Sequence, residues 1–201
     1  MTPAQIKQHL GREKSNHVLD YTYPKPYVGN KQIKAILLGC DPSNRHHHDL
    51  EFTFAIHHPE KTFNRFVSGI DKQLQNIGLD LESVYAQNLC RNFFDEETNN
   101  NPIWAEVAEL WIPFLKEELT QFGQEIPVLL SAEVLYKVLL SNGIKPAKAA
   151  DFYNCRVPFT IPSEHNKLNR PLIPFYRHFY YNLAKDEWKQ YRQGLANHFI
   201  K

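Results

Sequence analysis

The sequence predicts an α/β fold: a three-layer α/β/α sandwich around a central, mainly parallel four-stranded sheet. Three observations predict it. Short apolar runs recur along the chain without alternation, as in strands buried on both faces. Stretches with apolar residues at helical spacing separate them. The connections are short, the pattern of a parallel sheet with helices on both faces.

Thr2-Pro3 opens a capped helix that runs to Leu10, with proline in its first turn. Tyr21-Thr22-Tyr23-Pro24-Lys25-Pro26-Tyr27 is an extended approach, its backbone restricted by two prolines. A first core strand over 34–38 ends at Gly39, and 52–56 is a second extended segment. Phe63, Phe66, Val67, Ile70, Leu74 and Ile77 fall on one face of a helix over 62–77, which Gly78 stops. A strand over 84–89 follows. A helix marked by Ile103, Trp104, Val107, Leu110, Trp111, Phe114 and Leu115 contains Pro113, which predicts a kink. The third strand covers 126–130, and a helix over 131–140 closes at Asn142-Gly143. A fourth strand covers 156–161. The final helix, 186–199, turns Trp188, Tyr191, Leu195 and Phe199 inward.

The 201 residues, 42% of them hydrophobic, suit one domain over 1–201 with a sizeable core. No apolar run reaches the roughly 18 residues of a membrane helix. The first residues lack a basic-then-apolar leader, so the expectation is a cytoplasmic protein with no membrane partner. Cys40, Cys90 and Cys155 are widely spaced and form no CxxC pair, against a disulfide framework, zinc knuckle or iron–sulfur cluster. A net charge of +1 neither demands nor forbids a polyanionic partner.

Ligands of such sheets bind beyond the carboxyl ends of the strands. Three places there carry unusual side chains. In Gly39-Cys40-Asp41-Pro42-Ser43-Asn44 the glycine allows close backbone approach, and Asp41 can activate water, stabilise a developing cation or simply cap a turn. Asn88 is an amide inside a buried strand, able to read the edge of a planar base or to tie two loops together. The loop 161–170 is polar and proline-led, and Ser163 and Lys167 could grip phosphates there. His46, His47, His48, His57 and His58 raise a metal hypothesis, but adjacent histidines diverge and no carboxylate completes a site. No metal and no cofactor are expected; the alternative role for the triple histidine is to line a nucleic-acid groove.

Taken in order, these pieces resemble the uracil-DNA glycosylase superfamily, in register from about Tyr23 to Asn182. The strand and Gly-x-Asp-Pro turn over 35–42 looks like that family's water-activating motif. Phe52-Thr53-Phe54-Ala55-Ile56 is similar to the segment whose phenylalanine stacks on uracil, and Asn88 to the base-reading asparagine. Pro162-Ser163 resembles a remnant of the His-Pro-Ser loop, and Arg177-His178-Phe179 the segment after it. The resemblance implies base flipping, with Asp41 catalytic and Cys40, Phe54, Asn88 and His165 binding substrate. Pro42, Ser43, Asn44, Ser163, Lys167 and the wedge Leu168 are the implied DNA contacts; a basic stripe joining Lys167, Arg170 and the Asn44-Arg45 turn would favour DNA over a small-molecule ligand.

Two departures stand out. Ile161 occupies the place of the family's histidine, leaving His165 as the residue to reach the pocket, and Ser43 replaces a bulky tyrosine. The expected function is a monomeric DNA N-glycosylase that excises uracil or a related damaged base from single- or double-stranded DNA. The alternatives are a non-catalytic nucleic-acid binder on the same fold, and a small-molecule hydrolase or nucleoside-binding protein that kept only the pocket.

Overall fold

The computed structural model describes residues 1–42 and 50–199. It is a mixed α/β protein built on a five-stranded, mostly parallel sheet. In chain order the elements are α1 (Pro3–Glu13), β1 (Val18–Leu19), β2 (Tyr27–Val28), β3 (Ala35–Gly39), α2 (Lys61–Gln75), β4 (Val84–Asn88), β5 (Phe93–Phe94), α3 (Trp104–Glu118), β6 (Val128–Leu130), α4 (Glu133–Leu139), α5 (Ala149–Tyr153), β7 (Leu172–Pro174) and α6 (Lys189–Phe199). The sheet order is β2-β4-β3-β6-β7, and β1 pairs separately with β5.

Strands β4, β3, β6 and β7 are parallel, while β2 adds an antiparallel edge. The expected four-stranded sheet therefore gains a fifth strand from the proline-fixed approach. All five residues of β3 are buried, as a strand sandwiched on both faces requires. They belong to one contiguous core that also takes in Trp104, Trp111, Leu115, Tyr153, Tyr191 and Leu195.

The local rules hold at several ends. Thr2 accepts from the Gln5 backbone N–H while the Gln5 side chain accepts from Thr2, a capping box with Pro3 in the first turn. Gly78 and Gly143 take positive φ just past α2 and α4, where a side chain would be strained. At the end of α3, Arg170 donates to the carbonyls of Leu119, Phe122 and Gly123, satisfying acceptors that a helix terminus leaves open. Among the described residues no helix is long and apolar enough to cross a membrane.

Two expectations are corrected. The fourth parallel strand is not 156–161 but β7; Ile161 contributes only an isolated antiparallel bridge to Leu172. And 52–56 is not extended: Thr53–Ala55 forms a 3-10 turn with Phe54 and Ala55 at φ of 61° and 55°.

Candidate active site

The carboxyl ends of β3, β4, β6 and β7 converge on a cavity of about 460 Å³. Gly39, Cys40, Asp41 and Pro42 enter from β3, Asn88 from β4, Ser131 from β6 and Arg177 from just beyond β7. Phe54, Phe63 and Phe66 add aromatic wall, and the segment Glu96-Glu97-Thr98-Asn99 adds a polar one.

Asp41 is held by one oxygen. Its Oδ2 accepts from the Thr98 hydroxyl at 2.5 Å and from the Trp104 indole N–H at 2.8 Å. Burial pushes its pKa up to about 6, with those two hydrogen bonds pulling the other way. At pH 7 such a group is about nine-tenths ionised, a base matched to neutral conditions. Its neighbour Cys40 is different: burial, and then the Asp41 carboxylate, push the thiol up to about 12 despite the nearby Arg177. Cys40 is therefore a neutral lining group and not a thiolate nucleophile.

Asn88 lies opposite Gly39 in the β3–β4 register and is 5% exposed. Its backbone N–H donates to Gln87 Oε1, but among the described residues no hydrogen bond engages its side-chain amide. A buried amide facing a cavity without a protein partner is set up to bond a ligand.

Gly39 is what lets these groups meet. A Cβ there would lie 2.1 Å from Asn88 Oδ1 and 2.8 Å from Phe54 Cζ. Phe54 reaches that contact by adopting left-handed backbone, which costs a non-glycine residue about 1–3 kcal/mol. The turn is tied down by Thr53, whose N–H and hydroxyl donate to Lys25 O and whose hydroxyl also reaches Gln87 Oε1.

Asp41, Cys40, Phe54, Asn88 and Pro42, which the sequence singles out, all line this one cavity. Ser43, Asn44 and the histidines 46–48 lie outside the described residues. The polar loop does not join them. Ser163, His165, Lys167 and Leu168 precede β7 in a parallel sheet, so they sit toward its amino end; Pro171 O accepts from the first N–H of β6. His165 is exposed, Leu168 is buried core, and Lys167 is engaged by Glu109 and Val138 O. Arg170 is buried and occupied by three carbonyls, so a basic stripe favouring DNA does not run through it. Ile161 is likewise not in the cavity wall.

The sequence pattern does not single out three residues of the site. Thr98 and Trp104 orient Asp41 from a loop and the first residue of α3. Arg177 stands out in the sequence only as part of a downstream segment, yet its guanidinium lies 5.7 Å from the Phe54 ring centre and 4.5 Å from that of Phe66. Among the described residues it has no carboxylate partner. The signal available was position: it is the first strongly polar residue after the last apolar run. Among the described residues no cluster of three His, Cys, Asp or Glu side chains could hold a metal ion. No protein-family model matches the chain, and no curated protein matches it in sequence.

Proposed function

We propose that the protein is an N-glycosylase of the uracil-DNA glycosylase type, built on that superfamily's three-layer α/β/α sandwich, which takes uracil or a related damaged base of DNA into this cavity. The observation that carries the reading is the meeting of Asp41, Phe54 and Asn88 at Gly39, with no hydrogen bond from the described residues on the Asn88 side-chain amide. A planar base fits between these groups: its face on Phe54, its hydrogen-bonding edge on Asn88.

The chemistry follows from the placement of the carboxylate. Breaking the bond between C1′ and the base nitrogen sends its electron pair to the base and leaves positive charge on the sugar. Ionised Asp41 stabilises that charge and orients a water through the oxygen that Thr98 and Trp104 leave open. Water oxygen bonds to C1′ and its proton passes to Asp41. Arg177, a fixed cation in the same wall, supports the negative charge on the departing base, the task that Ile161 cannot perform.

The test is single-turnover release of free base from uracil-containing oligonucleotides, followed by a panel of modified bases. Release with a clear base preference supports the reading. Failure to release any base from the panel overturns it.

A further inference from the structure

A second cavity, of about 380 Å³, opens between α1 and the stretch 18–23 and shares no lining residue with the first. Its apolar wall is made by Leu10, Val18, Leu19 and the Tyr23 ring. Asn92, 1% exposed, is also in the wall. Its Oδ1 accepts from the Trp111 indole N–H at 3.0 Å. An indole can only donate, so the other end of this amide is the NH2 group. Among the described residues that buried Nδ2 has no hydrogen-bond partner. A buried donor left without an acceptor is costly, and one in a cavity wall points to a ligand that supplies the acceptor.

Tyr23 adds a second donor. Its hydroxyl makes no hydrogen bond to the described residues. Burial, then Asp20 and Cys90, push its pKa up to about 12, so it keeps its proton. The charges at the rim are already matched: Lys7 pairs with Asp20 at 2.7 Å and lies 5.4 Å from the centre of the Tyr23 ring. The lining therefore leaves two uncharged donors unmet beside an apolar wall. The helix keeps the space open. Gly11 is in the last turn of α1 without a positive φ, and a Cβ built on it would meet nothing within 4 Å. Glycine is a poor helix former, and here neither backbone conformation nor crowding calls for it; an open cleft does.

We propose that this cleft is a second binding site, for a small uncharged molecule that carries a carbonyl oxygen on an apolar body, the oxygen accepting from Asn92 and Tyr23. An amide or ketone built on one or two rings has this chemistry. An uncharged ligand is favoured over a carboxylate because Lys7 is engaged by Asp20 and the two unmet donors carry no charge. The site goes beyond base release and does not depend on it.

The experiment is titration of the nitrogen-15-labelled chain with benzamide, benzoate and toluene, followed by NMR. The side-chain NH2 resonances of Asn92 report this cleft, and those of Asn88 report the base cavity. The expected result is a saturable shift at Asn92 with benzamide, and binding weaker by about 10-fold or more for benzoate and for toluene. Tyr23→Phe should weaken benzamide by about 2- to 12-fold with unchanged melting temperature. Gly11→Leu places a side chain in the cleft and leaves both donors intact; it should abolish the shift and melt no lower than wild type. No saturable shift at Asn92, a Gly11→Leu variant that still binds, or benzoate binding as tightly as benzamide would overturn the proposal. Shifts at Asn88 alone would put the probe in the base cavity and overturn it equally. Base release is read in a separate assay, so either reading can fail while the other stands.

Discussion

Burial of the Asp41 carboxylate works against folding at neutral pH. Its folded pKa of about 6 lies above the usual value of 3.8, so the folded protein holds the proton more tightly than the unfolded chain. The stability this confers is full below about pH 4 and is lost as pH rises through 6, a penalty of about 3 kcal/mol at neutral pH. Asp41→Asn removes the charge but keeps an acceptor for Thr98 and Trp104. Thermal or urea unfolding at pH 8 should therefore find the variant more stable by about 1–3 kcal/mol. In wild type, base release should fall as pH drops below about 6 and the carboxylate protonates. Gly39→Ala tests the packing. The new methyl meets Asn88 and Phe54, so the variant should lose base release and about 1–3 kcal/mol of stability, read from activity and denaturation together. At this scale the sequence was informative. Asp41 and Asn88 stand out as polar residues at the ends of apolar runs, whereas Thr98 and Trp104 lie 57 and 63 residues from Asp41 and only folding reveals them.

The elements were less legible at the last strand. The run over 156–161 looked like a strand because it is apolar and bounded, while β7 has proline at its own end and another just before it. Proline is tolerated there because β7 is the edge strand of the sheet, paired along its length with β6 and bridged on its other side at Leu172 to Ile161. That error moved the site: it pointed to the loop after Ile161, when the segment leaving β7 carries Arg177. Ile161→His should accordingly leave the rate of base release within about twofold and cost about 1–3 kcal/mol of stability, since it buries a polar ring at a position 6% exposed. Arg177→Gln should lower the rate by about 10²–10³-fold, the loss typical of one charge-stabilising donor. The reverse outcome, a markedly faster histidine variant and no activity lost in the glutamine variant, would return the loop to the site. The Phe54 turn was misread for a different reason: β-type residues predict extension, but contact with Gly39 imposes a left-handed backbone.

On the scale of the molecule, a parallel sheet gathers groups from distant parts of the chain at one end. Positions 41, 54, 88, 98 and 177 share a cavity because four strands deliver their successors to the same side. The other end is given to support, with Arg170 holding the end of α3 and Lys167 bound to Glu109. The α/β class followed from the alternation of apolar runs; the fifth strand did not, because Tyr27–Val28 is too short to show a pattern. The most direct test of the central claim is base release by wild type and Asp41→Asn, under single turnover at pH 8, with melting temperature measured on the same samples. The account predicts release by wild type and a loss of at least about 10²-fold in the variant, which melts no lower. A variant as fast as wild type, or one whose inactivity matches a lost fold, would contradict it.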